Sequence, residues 1–340
     1  MVVYIKKLKI STLIIIDLLC ICIGFGIFCL FHFVIDFEDD PEPVSLVSSE
    51  PTKTAITDTI TSDITETIVT DPLDFKEETN TTESVESVHN TSGMFGERFS
   101  EMFTAGEIVQ TENSYKSENI NVNVSHYSED GVIYNIAEIY IRDLKYFKTA
   151  FGGEAFKKST EKLPVLAERH NAIIAISGDH YGARAKGVVV RNGVMYRNTK
   201  FEDIGILTDK GELITMPASK YDPDSLTEYG AWQVWCFGPE LLDNGTVKTK
   251  FNSNVTRANP RTAIGCVEPG HYFFVVIDGR IETSKGVTME QLSQLFYDLG
   301  CNSAYNLDGG QTSGFYWNGN LLSYPYGRPV WDMIYIGEDE

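Results

Sequence analysis

Apolar and polar residues alternate from Ile120 to Tyr127, and after Gly131 a second run carries Ile133, Ile136, Ile139 and Ile141, a pattern that predicts a β-hairpin. Asn192-Gly193, Asn244-Gly245, Asp278-Gly279 and Asn318-Gly319 each sit between or beside apolar runs, and such pairs favour the positive-φ turns that join antiparallel strands. Helical periodicity is scarcer. Ser159 to His170 is one candidate. Thr288 to Leu299 is better: Thr288 suits an N-cap with Gln291 three residues on, Leu292, Leu295, Phe296 and Leu299 share a face, and Gly300 closes the segment. The expected class is α+β, a mixed, mostly antiparallel sheet with packed helices, forming one domain over residues 113–340.

Residues 10–35 break this pattern. They are almost unbroken in apolar character, long enough at about 1.5 Å per residue to cross a hydrocarbon layer of roughly 30 Å. Lys6, Lys7 and Lys9 precede them, so the positive-inside bias predicts a cytoplasmic tail at 1–9, an uncleaved single-pass anchor at 10–35 and an extracytoplasmic remainder. Asp17 is tolerated there at a cost of a few kcal/mol. A cleaved signal peptide is the competing reading, against which stand the length of the run and the absence of a small-x-small cleavage site.

Between Asp36 and Ser92, fifteen Asp or Glu face two Lys among recurrent Thr and Ser, too little apolar surface to repay ordering. An acidic, Thr/Ser-rich disordered linker is therefore expected over residues 36–112. It carries most of the net charge of −20, which argues against nucleic acid as a partner. Cys236, Cys266 and Cys301 lie beyond it, an odd number that indicates buried free thiols and no disulfide framework.

Chemistry-bearing residues gather where apolar runs end. Ala304 to Leu307 delivers Asp308 into the Gly309-Gly310 turn, where a substrate can approach the backbone. Ala172 to Ile176 ends at Ser177-Gly178, and Asp179, His180, Tyr181 and Arg184 follow in a Gly-bounded loop. Pro260 holds Asn259 extended, and Arg261 behind it is placed to fork onto a phosphate or carboxylate. Each motif taken alone also suits a turn cap, a solvated loop or an ordinary ion pair. The histidines show no metal-ligand spacing, and no Walker loop, nucleophile elbow or HExxH occurs. The sequence requires no cofactor, and a divalent cation held by carboxylates stays open.

Taken in order, SGDHYG, VVVRNG, CFGPEL, NPRTAIG, FFVVIDGR, SKGVTMEQLSQLFYDLGCNSAYNLDGG and a closing GRPVWDMIYIG resemble the phosphodiester glycosidase family, over roughly Asn113 to Gly337. The resemblance implies hydrolysis of a sugar-1-phosphodiester at the glycosidic C–O bond, releasing a sugar such as N-acetylglucosamine from a surface glycopolymer or glycoconjugate. It implies Asp308 and Asp179 as catalytic carboxylates. Arg184, Arg261, Tyr181, His180, Gly309, Gly310 and Arg328 are implied in substrate binding. Ser177, His180 and Gln311 depart from the residues usual in bacterial relatives, which leaves the sugar and aglycone open. The alternative is a non-catalytic module on a membrane stalk that binds wall or exopolysaccharide polymer through the same cleft.

Overall fold

The computed structural model describes Ile23, residues 42–46 and residues 91–338. Contacts divide the chain into Met1–Glu42 and Pro43–Glu340, and the architecture below belongs to the second unit. Among the described residues three sheets build it, and their strand pairings are antiparallel.

The largest has nine strands, with Ser303–Leu307, Arg261–Glu268, His271–Ile277, Val132–Ile141 and Ile120–Glu129 side by side. The expected hairpin is there in register, Ile120 opposite Ile141 and Glu129 opposite Val132. A six-stranded sheet contains Val194–Thr199, Gly187–Arg191 and Ala231–Trp235 as neighbours, and a five-stranded sheet places Ile174–Ser177 between Phe315–Trp317 and Asp332–Ile336. The expected sheet is thus antiparallel, with few helices, and the mixed pairing that was expected is not what forms.

Alternation along the strands assigns each residue to a layer. Ile174 and Ile176 face a core shared with Ile139, Phe274, Trp235 and Ile334, while Ala175 between them faces the helix α1, Leu163–Arg169. In the same way Phe274 and Val276 face that core, and Val275 and Ile277 face Leu292 and Phe296 of the helix α2, Met289–Asp298. Coverage on both faces is why this strand is continuously apolar. The capping box forms as expected, Thr288 Oγ1 accepting from the Gln291 amide at 3.1 Å and the Gln291 side chain from the Thr288 amide at 2.9 Å. Helix α1 is shorter than expected because Glu161 is extended, bridging Val330, and Pro164 stands at the helix start.

The folded unit begins before residue 113. Phe95, Phe99 and Phe103 are buried in the main core, and Val109–Gln110 pairs with Ser114–Lys116 at a sheet edge. Near the other end of the expected linker, Val44–Ser45 pairs with Val194 and Met195. The linker expected over 36–112 therefore contains ordered chain at 42–46 and 91–112. The acids around the three phenylalanines masked their spacing of four, which places them on one side of a compact turn-rich segment. Residues 10–35, expected to be an anchor, lie outside the described residues apart from Ile23; among the described residues no helix is long and apolar enough to cross a membrane.

Asn192-Gly193, Asn244-Gly245 and Asn318-Gly319 all take positive φ at both positions, as hairpin turns require. Asp278-Gly279 does not; Asp278 is buried and both its carboxylate oxygens accept from the Tyr324 amide, at 3.0 and 3.1 Å. Cys236, Cys266 and Cys301 are free and buried, and burial pushes the first two thiols up to about 11 and about 12.

Candidate active site

Three sequence motifs meet at one cavity of about 540 Å³. The strand Ser303–Leu307 ends at Asp308, whose amide donates to the Gly178 carbonyl at 3.0 Å. Ser177 Oγ donates to the Asp308 carbonyl at 3.0 Å and lies 3.0 Å from Thr262 Oγ1. These bonds tie the end of the central strand of the five-stranded sheet to the nine-stranded one. The Gly-Gly turn is then pressed on the Asn259–Arg261 segment. A Cβ on Gly309 would stand 2.9 Å from the Pro260 carbonyl oxygen, and Gly310, with φ 66°, donates its amide to that oxygen at 3.1 Å. Asp308 is thereby presented to the cavity by main-chain bonds, leaving its carboxylate free for other work.

His180 Nδ1 lies 3.2 Å from Asp308 Oδ2, at ion-pair distance but without hydrogen-bond alignment. Arg184 lines the cavity with its guanidinium between two rings, 5.3 Å from Phe201 and 5.1 Å from Phe237, and donates to the Cys236 carbonyl at 3.1 Å. Arg261 is buried, donating from Nε to the Val287 carbonyl at 3.2 Å and from Nη2 to the Arg257 carbonyl at 2.6 Å. Burial first, and then the neighbouring Arg280, bring its pKa down to about 10. Arg328 is exposed at the cavity, and Arg280 completes a set of four arginines there. Among the described residues none of the four is ion-paired with a carboxylate. The carboxylates among the lining residues are Asp308 and Glu202. The cavity is thus cationic within a chain of net charge −20, and field focused there attracts anions.

Asp179 and Tyr181 are placed elsewhere than their motif suggested. Asp179 is 2% exposed; its Oδ2 accepts from the Cys236 amide at 2.9 Å and lies 3.6 Å from Arg191 Nη2. Its amide donates to Asp332 Oδ1 at 2.7 Å, and Arg191 Nε donates to Asp332 Oδ2 at 2.7 Å. Burial raises the Asp332 pKa to about 6 against the opposing pull of Arg191. A Cβ on Gly178 would stand 2.3 Å from Asp332 Oδ1, so this network also requires the glycine. Tyr181 is 1% exposed, stacks on Phe156 at 5.3 Å and donates its hydroxyl to the Trp331 carbonyl at 3.2 Å. Neither residue lines the cavity. They anchor the loop that carries His180 and Arg184, because the buried Arg191 of the six-stranded sheet draws the Asp179 and Asp332 carboxylates inward, and removing it would leave two buried charges uncompensated.

Further residues line the cavity without a motif in the sequence to mark them. Arg280 sat in what read as a turn, and Glu202 in an undistinguished polar stretch. Asn306 is 3% exposed within a buried strand; its Nδ2 donates to the Gly238 carbonyl at 2.7 Å while its Oδ1 has no partner. A polar residue inside SAYNL was the available signal, since burial without a role is costly. Among the described residues no three His, Cys, Asp or Glu side chains gather to hold a metal ion.

Antiparallel sheets thus present one carboxylate on a Gly-Gly turn to a cavity that four arginines also line. Residues 170–337 match the model of the phosphodiester glycosidase family. It is 28% identical over 160 residues to the SPbeta prophage-derived uncharacterized protein YomE of Bacillus subtilis (strain 168), covering 44% of this chain and 24% of that protein. It is 33% identical over 75 residues to N-acetylglucosamine-1-phosphodiester alpha-N-acetylglucosaminidase of Bos taurus, covering 22% of this chain and 14% of that one. The chain therefore aligns with about a quarter and about a seventh of these two relatives. The zebrafish N-acetylglucosamine-1-phosphodiester alpha-N-acetylglucosaminidase catalytic domain, auto-inhibited by pro-peptide, shares the fold, with a TM-score of 0.53 and 21% identity over 65% of this chain and 83% of that one.

Proposed function

We propose that this domain hydrolyses a sugar-1-phosphodiester at the glycosidic C–O bond, releasing free sugar and a phosphomonoester. The observation that carries the reading is the joint placement of Asp308 and four arginines without carboxylate partners around one cavity. The chemistry suits it. A phosphomonoester has a second pKa near 6, so it leaves as an anion with little need of a proton, and guanidinium groups can stabilise the charge that develops on it. Asp308 then stabilises the cationic sugar centre as nucleophile or as base toward water. With Asp179 buried, Glu202 is the second carboxylate at hand, and His180 beside Asp308 is the group placed to exchange a proton with it.

The bovine relative's name makes N-acetylglucosamine-1-phosphodiesters the first substrates to try. The reading extends to the compartment: residues 10–35 hold the chain in a membrane, and the domain works on a glycopolymer or glycoconjugate outside it. The test is a panel of sugar-1-phosphodiesters offered to the purified chain. Saturable release of free sugar is the expected result. Saturable binding across the panel with no release would replace this reading by the polymer-binding one.

A further inference from the structure

Arg261 and Arg280 both line the cavity, and among the described residues neither is ion-paired with a carboxylate. Arg261 is 4% exposed and, among the described residues, its side chain reaches only the carbonyl oxygens of Val287 and Arg257, which offer partial charge to a full one. A buried cation left without a counter-charge is costly. Arg280 adds a second positive charge close enough to lower the proton affinity of the first, so the folded chain holds two guanidinium groups against their mutual repulsion.

The position of Arg280 is built. Its Nε donates to Asn259 Oδ1 at 2.9 Å and Nη2 donates to the same oxygen, a neutral acceptor on the segment that carries Arg261. That leaves Nη1, which lies 3.6 Å from where a Cβ on Gly310 would be. The Arg280 backbone has φ 58°, a region that side-chain-bearing residues rarely adopt. Gly279 before it donates its amide to Tyr326 Oη at 2.7 Å, and a Cβ there would stand 2.8 Å from both Gly286 Cα and the Pro260 nitrogen. Arg184, in contrast, is held between two phenyl rings and bonded to the Cys236 carbonyl.

We propose that Arg261 and Arg280, braced by Asn259 beside the Gly309-Gly310 turn, form a subsite for a phosphoryl dianion, which inorganic phosphate fills when no substrate is present. The identification of its occupant during turnover as the departing phosphomonoester rests on the hydrolase reading above; the anion site itself does not. The Nη1 ends left free on the two guanidinium groups supply charge-assisted bonds that a monoanionic diester uses less fully than the dianion left after cleavage. The product is therefore retained, and phosphate competes with substrate.

Calorimetric titration of the full chain with inorganic phosphate tests this, using the wild type, Arg280→Gln, Arg280→Lys and, as a control for net charge, Arg98→Gln, whose guanidinium is an exposed partner of Glu268. One phosphate per chain is expected, with affinity lower by roughly tenfold or more in Arg280→Gln, an intermediate loss in Arg280→Lys and a change under about twofold in Arg98→Gln. Melting temperatures without phosphate should agree among the four, whereas phosphate should raise the wild type and Arg98→Gln most. No phosphate binding by wild type, equal affinity in Arg280→Gln, or equal losses in Arg280→Gln and Arg98→Gln would each overturn the subsite. Sugar release measured on the same preparations separates the two readings. Turnover without phosphate binding or inhibition removes the subsite and leaves the hydrolase; Arg280-dependent phosphate binding without turnover on any diester does the reverse.

Discussion

Replacing Asp308 by Asn is expected to lower sugar release by a factor on the order of hundreds or more, as removal of one preorganised electrostatic group does elsewhere. The substitution keeps shape and takes away charge. Its effect on stability should be small, because the turn is held by the Asp308 amide on Gly178, by Ser177 Oγ on the Asp308 carbonyl and by the Gly310 amide on Pro260, none of which uses the carboxylate. Substrate binding should survive, since the four arginines remain. Rates and melting temperature measured on one preparation check the claim. An Asn variant that hydrolyses normally would show that Asp308 serves only the turn.

A chain starting at residue 113 is expected to lose its cooperative fold, while one starting at residue 91 keeps it. The shorter chain lacks Phe95, Phe99 and Phe103, and full burial of a side chain of this size stabilises by about 1.5 to 3 kcal/mol. Three such losses approach the roughly 5 to 15 kcal/mol that a whole domain retains. Further contacts go with them: the Phe95 amide on the Arg142 carbonyl, the Thr104 amide on Ser117, and the Phe103 ring 5.2 Å from the buried Arg142 guanidinium. Thermal unfolding and near-ultraviolet dichroism of both chains check this. A sharp transition at unchanged temperature in the shorter chain would show that residues 91–112 only decorate the core.

That second expectation reverses the boundary suggested by composition, and the reason is physical. Acidic and hydroxyl residues surround the three phenylalanines, so averaged over a window the segment reads as unable to order; the sheet supplies the apolar partner that buries them. Elements whose signal is local were legible. The Ile120 hairpin, the Thr288 capping box and three of the four Asn-Gly or Asp-Gly turns each depend on residues within a few positions of one another. Asp278-Gly279 failed because a distant segment, at Tyr324, claims the Asp carboxylate.

The site divides along the same line. Asp308, Gly309, Gly310, Arg184, Arg261 and Arg328 were legible because motif order placed them, and they do line one cavity. Asp179 and Tyr181 occupy the same loop motif as Arg184, which lines the cavity, and nothing local distinguishes a side chain that points to the cavity from one that points to Arg191, which comes from another sheet. Arg280 was missed for the opposite reason: a residue following Asp-Gly reads as turn chemistry, and only the packing of Asn259 and Gly310 beside it shows where its guanidinium goes.

The most direct measurement is hydrolysis of a sugar-1-phosphodiester in water enriched with heavy oxygen, followed by phosphorus NMR and mass spectrometry of both products. Cleavage of the glycosidic C–O bond requires the solvent oxygen in the released sugar and none in the phosphomonoester, and that is the expected result. Heavy oxygen in the phosphomonoester would mean that water attacks phosphorus, and would contradict the assignment of Asp308 to the sugar centre.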